Sequence, residues 1–121
     1  MKINELKKME GTNFQKSVWL EILKIPVGEV TTYKKIALNI SQEGSSRAVA
    51  NACGKNPILE VIPCHRVIRS DGFLGGYSGM GGIKRKKQLL EDEGHKFDLN
   101  YKIIEKKDNN IESKKWMIAK S

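Results

Sequence analysis

Cys64 and His65 are adjacent, preceded by Pro63 and followed by Arg66-Val67, and the two side chains together can do nucleophilic chemistry. The thiolate is the reactive form, and a cysteine near its reference pKa of about 8.5 is only slightly ionised at neutral pH. Activation needs a proton acceptor, and the acceptor needs an orienting anion. His65 fits the first role; Glu91 or Glu93 fits the second. Neighbours in an extended strand point to opposite sides, so the sequence predicts that Cys64 and His65 communicate through a bridging water. A zinc site drawn from Cys53, Cys64, His65 and His95 lacks the paired short spacings of zinc modules, so no metal is expected. Two cysteines and no basic-then-apolar start imply a reducing compartment, the cytoplasm, where a Cys53–Cys64 disulfide is not expected.

The elements that must hold this pair follow from periodicity. Thr12-Asn13-Phe14-Gln15 has capping-box spacing, and Phe14, Val18, Ile22 and Ile25 recur at helical intervals until Pro26. Thr31 or Thr32 caps a second helix, Tyr33 to Ile40; a polar loop then leads to a third, Ser46 to about Cys53, stopped by Gly54. Two short helices joined by a polar loop predict a helix-turn-helix, with Arg47, Asn51 and Lys55 on one outward stripe. Ala48, Ala50 and Ala52 are small enough to let that helix approach a surface. Pro57 to Pro63 is apolar and predicts a buried connection.

His65 to Arg69, Asp71-Gly72 and Phe73-Leu74 read as a small hairpin or wing. A fourth helix is expected from about Gly82 to Glu93, with Ile83, Leu89 and Leu90 inward and Lys84-Arg85-Lys86-Lys87 mostly outward. Residues 97–103 alternate as a strand does. The expected fold is mainly α: a small helix-turn-helix or winged-helix-like bundle with a short β-hairpin and room for one extra C-terminal strand. Residues 1–12 read as an arm, 13–95 as the functional domain, and 96–121 as a strand plus charged tail containing Trp116-Met117-Ile118.

At 121 residues the chain supports one modest core. No run of about 18 apolar residues predicts a membrane span. Net charge is +8, which favours a polyanionic partner through counterion release.

The run Pro63-Cys64-His65-Arg66-Val67 resembles the signature of the DNA alkyltransferases that repair 6-O-alkylguanine. Phe14-Gln15 with Val18-Trp19, Gly28-Glu29-Val30, Tyr33, Arg47-Ala48-Val49, Asn56-Pro57, Gly76-Tyr77-Ser78-Gly79 and Leu89-Leu90 with Glu93-Gly94 follow in family order. The resemblance implies binding of duplex DNA with the third helix in the minor groove and extrusion of the damaged base. Arg47 would take the vacated place, Tyr33 would turn the adjoining phosphate, and Lys34, Asn51 and Ser70 would hold the backbone.

By the same resemblance Cys64 would accept the alkyl group as a thioether, with His65 acting through water and Glu93 holding His65. The Tyr33 hydroxyl would donate to the guanine ring. Asn56 would tie the segment before Cys64 to the recognition helix, and Val67, Tyr77, Ser78 and Cys53 would line the base pocket. Each molecule would act once, as a monomer and without a cofactor. Members often carry an amino-terminal domain where this sequence has about a dozen residues. Two rivals are a non-catalytic alkyltransferase-like protein that binds damage and recruits excision repair, and a sequence-specific regulator. Cys64 argues against the first, the alanine-lined helix against the second.

Overall fold

The computed structural model describes Glu5 and residues 8–104. The tail that carries Trp116-Met117-Ile118 lies outside the described residues. Helix α1 (Asn13–Leu23) begins as its sequence dictates: the Thr12 hydroxyl accepts from the Gln15 backbone at 3.0 Å, and the Gln15 side chain accepts from the Thr12 backbone at 2.9 Å. Val18, Trp19 and Ile22 form its buried face. Strand β1 (Thr31–Thr32) runs into α2 (Tyr33–Asn39), which Thr32 caps through Lys35 N. Helix α3 (Ser46–Gly54) packs on α1 and α2 through Val49, Ala52 and Cys53, which completes the helix-turn-helix.

A 3-10 turn at Cys64–Arg66 leads into β2 (Val67–Ile68), which pairs in parallel with β1. Helix α4 (Gly82–Asp92) and an antiparallel pair, β3 (Lys96–Phe97) and β4 (Ile103–Ile104), complete the body. One core surrounds Trp19, Ile36, Val49 and Ile62; a second joins Val30, Ile68, Leu74, Leu90 and Ile103. Ile103 N also donates to Gly72 O at 2.9 Å, so the segment to residue 104 packs with the functional domain.

Four expectations change. The alternating segment 97–103 is not one strand. The Asp98 side chain accepts from Asn100 N and Lys102 N, and Tyr101 adopts φ 62, so turn chemistry splits it into a hairpin. The wing is reduced to a tight turn, closed by Arg69 N on Phe73 O, because β2 is paired with β1. The stretch from Pro57 to Pro63 is buried only at Ile62 and Pro63; Val61 is 49% exposed. On α4, Ile83 is 40% exposed and Lys86 fully buried, the reverse of the expected orientation. Among the described residues no helix is long and apolar enough to cross a membrane.

Candidate active site

A cavity of about 300 Å³ opens between α3, the Cys64 turn and the glycine-rich loop, lined by Tyr33, Ala50, Asn51, Cys53, Gly54, Cys64, Gly76, Tyr77 and Ser78. Gly75 makes room for Tyr33 in its wall. A Cβ there would stand 2.8 Å from the Tyr33 hydroxyl, and its φ of +74° suits glycine.

Cys64 lies in the 3-10 turn rather than in a strand. Asn56, just past α3, staples the turn to its approach: Nδ2 donates to Ile62 O at 2.7 Å and to Cys64 Sγ at 2.9 Å, while Oδ1 accepts from Ile58 N. The loop's backbone is thereby satisfied without being buried. The Cys64 thiol is held below its ordinary pKa. A hydrogen bond from the Cys53 thiol does most of this, opposed by burial and reinforced by Asn56 and the Lys86 charge. Cys53 is correspondingly pushed well up.

His65 is 2% exposed, and its Nε2 lies 3.0 Å from Glu93 Oε2. Its Nδ1 is buried without a hydrogen-bond partner among the described residues. Burial pulls the imidazole down against the pull of Glu93, so it is neutral at neutral pH. Arg66 grips Glu93 with two bonds of 2.9 Å and donates to Ile25 O at 2.8 Å. Burial alone would raise Glu93, yet the bonds from Arg66 and His65 outweigh it and hold the carboxyl below its ordinary range.

Lys86 belongs by sequence to an outward-facing run, yet it is 0% exposed. Its Nζ donates to Val67 O and Leu74 O at 2.6 Å, to Gly76 O at 3.1 Å and to Tyr33 Oη at 3.2 Å. Burial draws its pKa down to about 8, against the pull of Cys53 and Cys64. Its place four residues before Leu90, on the inward face, is the one signal in the sequence for this role. Burial also raises Tyr33, helped by the two sulfurs, so its hydroxyl stays protonated.

The cavity therefore unites Tyr33, Asn51, Cys53, Cys64, Tyr77 and Ser78, and Asn56, His65 and Glu93 stand behind Cys64. Val67 is buried outside that lining, its carbonyl held by Lys86. Arg47, Asn51 and Lys55 are exposed on α3, but Ala52 faces the core, its carbonyl accepting from the Trp19 indole at 2.9 Å. Lys34 and Ser70 are exposed, and the parallel pairing of β1 with β2 delivers both to the same end of the strands.

The DNA-binding domain of 6-O-methylguanine DNA methyltransferase matches residues 13–95. A methylated-DNA–protein-cysteine methyltransferase of Methanosarcina barkeri is 52% identical over 84 residues, 69% of this chain and 52% of that protein. Mycobacterium tuberculosis OGT in complex with DNA superposes with a TM-score of 0.66 at 51% identity, covering 69% of this chain and 51% of that one. Atl1 of S. pombe, in complex with damaged DNA containing O6-carboxymethylguanine, gives 0.62 at 34% identity, covering 74% and 83%. The chain spans about half the length of most curated relatives it matches, and 24% of one of them.

Proposed function

Because the chain belongs to the 6-O-methylguanine DNA methyltransferase family, whose DNA-binding domain spans residues 13–95 here, we propose that this unit repairs 6-O-alkylguanine in duplex DNA by one-time transfer of the alkyl group to Cys64. The observation that carries the reading is a cysteine sulfur that accepts from Asn56 and stands beside the His65–Glu93 pair while lining a cavity at the low end of ligand-pocket volumes, about 300 Å³.

The chemistry is a displacement at carbon. The Cys64 thiolate attacks the alkyl carbon in line, a C–S bond forms, and the C–O bond breaks with its electron pair moving into the purine. Tyr33, kept protonated, donates a hydrogen bond to the ring and lessens the charge building there. The free Nδ1 of neutral His65 accepts the Cys64 proton through a water, and Glu93 fixes the ring through Nε2. Arg47 fills the vacated stack, while Lys34, Asn51 and Ser70 hold phosphates. Tyr77, Ser78, Cys53 and the backbone near Val67 meet the base. The thioether has no easy leaving chemistry, so each molecule works once. This work would be done in the cytoplasm by a monomer.

A duplex oligonucleotide carrying 6-O-methylguanine tests the assignment. Peptide mass mapping should find one methyl group on Cys64 in the native protein and none in Cys64→Ser. Tight binding without transfer would instead support a damage-binding recruiter, the reading that likeness to Atl1 keeps open. Preference for one undamaged sequence would support a regulator.

A further inference from the structure

The mechanism uses one sulfur, yet the cavity holds two. Cys53, in the last turn of α3, and Cys64 are both free, both line the cavity, and are 8% and 4% exposed. Asn56 ties the two together, its backbone N donating to Cys53 O at 3.1 Å and its Nδ2 to Cys64 Sγ at 2.9 Å, and both cysteines belong to one buried cluster. The cavity they line opens to the surface. From this juxtaposition we infer that Cys53 and Cys64 form an oxidisable dithiol, a modification site at which a hydroperoxide converts the alkyl acceptor reversibly into an intramolecular disulfide.

The first step is attack of the Cys64 thiolate on the peroxide. The O–O bond breaks, one oxygen joins sulfur as a sulfenic acid, and the other leaves as hydroxide that takes a proton from solvent. In the second step Cys53 sulfur attacks Cys64 sulfur. The S–O bond breaks, and the departing hydroxide leaves as water with the Cys53 proton. The dithiol loses two electrons, and the peroxide becomes water.

The resting state holds Cys53 as a poor nucleophile, since the Cys64 hydrogen bond, burial and the Cys64 charge all raise its pKa. Sulfenic acid formation removes the Cys64 charge, one of the causes that raise Cys53, and leaves burial opposed by the Lys86 ammonium. Cys53 is thus a better nucleophile after Cys64 has been oxidised than before, the order a resolving thiol needs. Bond formation brings the sulfurs to about 2.05 Å, with Cys53 one residue from the end of α3. The disulfide cannot accept an alkyl group, but a thiol reductant restores it, whereas the sulfinic acid that lies further along the oxidation ladder is lost.

This inference rests on the same Cys64 sulfur as the repair reading but requires neither DNA nor alkyl transfer. The full chain is treated with hydrogen peroxide, quenched with iodoacetamide and digested without reduction. A Cys53–Cys64 linked peptide is expected, and dithiothreitol should restore iodoacetamide labelling at both positions. Cys53→Ser, a near-isosteric change, should leave about ten-fold more Cys64 beyond rescue by dithiothreitol, as sulfinic acid. Cys64 oxidised to sulfinic acid in the native protein with Cys53 still free would overturn the inference. So would equal recovery of Cys64 in the native protein and the serine variant. Loss of methyl transfer with an intact disulfide response would count against the repair reading alone.

Discussion

Beneath the cavity, Lys86, Arg66, Glu93 and Asn56 each make three or more hydrogen bonds. On the outer face of α3, Arg47, Asn51 and Lys55 are exposed and make no side-chain hydrogen bond or ion pair with the described residues. The difference fits the two tasks of the proposed function. A reacting sulfur needs donors and a base fixed before the substrate arrives, because their arrangement during the reaction would add to the barrier. A helix that meets the phosphates of any duplex needs donors that are still unengaged. On the proposed function the floor of the site carries stability and chemistry together, and the helix face carries binding alone.

The contrast is broken most directly at Lys86. Lys86→Met keeps the length of the side chain and removes its donors, leaving the carbonyls of Val67, Leu74 and Gly76 without their partner. Each buried group left unsatisfied costs about 1–3 kcal/mol, so urea denaturation should show a loss of about 3 kcal/mol or more. A variant as stable as the native protein would mean that the floor is held by apolar packing.

A smaller effect, with a pH signature, is expected at Glu93. Its folded pKa lies below the ordinary carboxylate value, so its contribution is full above about 4.3 and is lost as pH falls through the folded value. Burial also lowers His65, whose contribution is full above about 6.5 and declines as pH falls below that. Both slopes have the same sign, and stability should fall continuously from about pH 6.5 into the acid range. Glu93→Gln should cost about 2 kcal/mol at neutral pH and flatten the acid end of a thermal-unfolding series. An unchanged slope would show that Arg66 and His65 do not depend on the carboxylate.

The same contrast separates the features legible in the amino-acid sequence from those that only packing creates. Short-range signals are legible. Thr12 and Gln15 start α1, Thr32 caps α2, and the spacing of Arg47, Asn51 and Lys55 puts one stripe in solvent. Lys86 is legible only as an inward position four residues before Leu90; its partners are not, because they lie 10 to 53 residues away and most are backbone carbonyls, which have no sequence identity to read. Arg66 is legible as a member of the signature run, but its role is not, for a similar reason: it reaches Ile25, 41 residues distant, and Glu93, 27 residues distant. Val61 is exposed among apolar neighbours, and the backbone on either side of it, at Ile58 and Ile62, is satisfied by an asparagine outside that run, Asn56. Cys64 and His65 are legible as a pair, and the resemblance puts Cys53 in the same pocket; the Asn56 bonds that tie the two cysteines together are not legible, because they depend on how the end of α3 packs.

The smallest stability effect and the sharpest functional one should coincide at Arg47. With no partner among the described residues, Arg47→Ala should change unfolding free energy by no more than about 0.5 kcal/mol. Its cost should appear only when a base must leave a stack, a step worth a few kcal/mol, so transfer from duplex 6-O-methylguanine should slow by about ten-fold or more. A single-stranded oligonucleotide with the same base has no helix to open, and the variant should approach native rates on it. If duplex and single strand slow equally, Arg47 acts as a phosphate contact, and the helix face works by charge alone. If neither slows, the stripe on α3 is a solvated surface, and the DNA must approach Cys64 from another side.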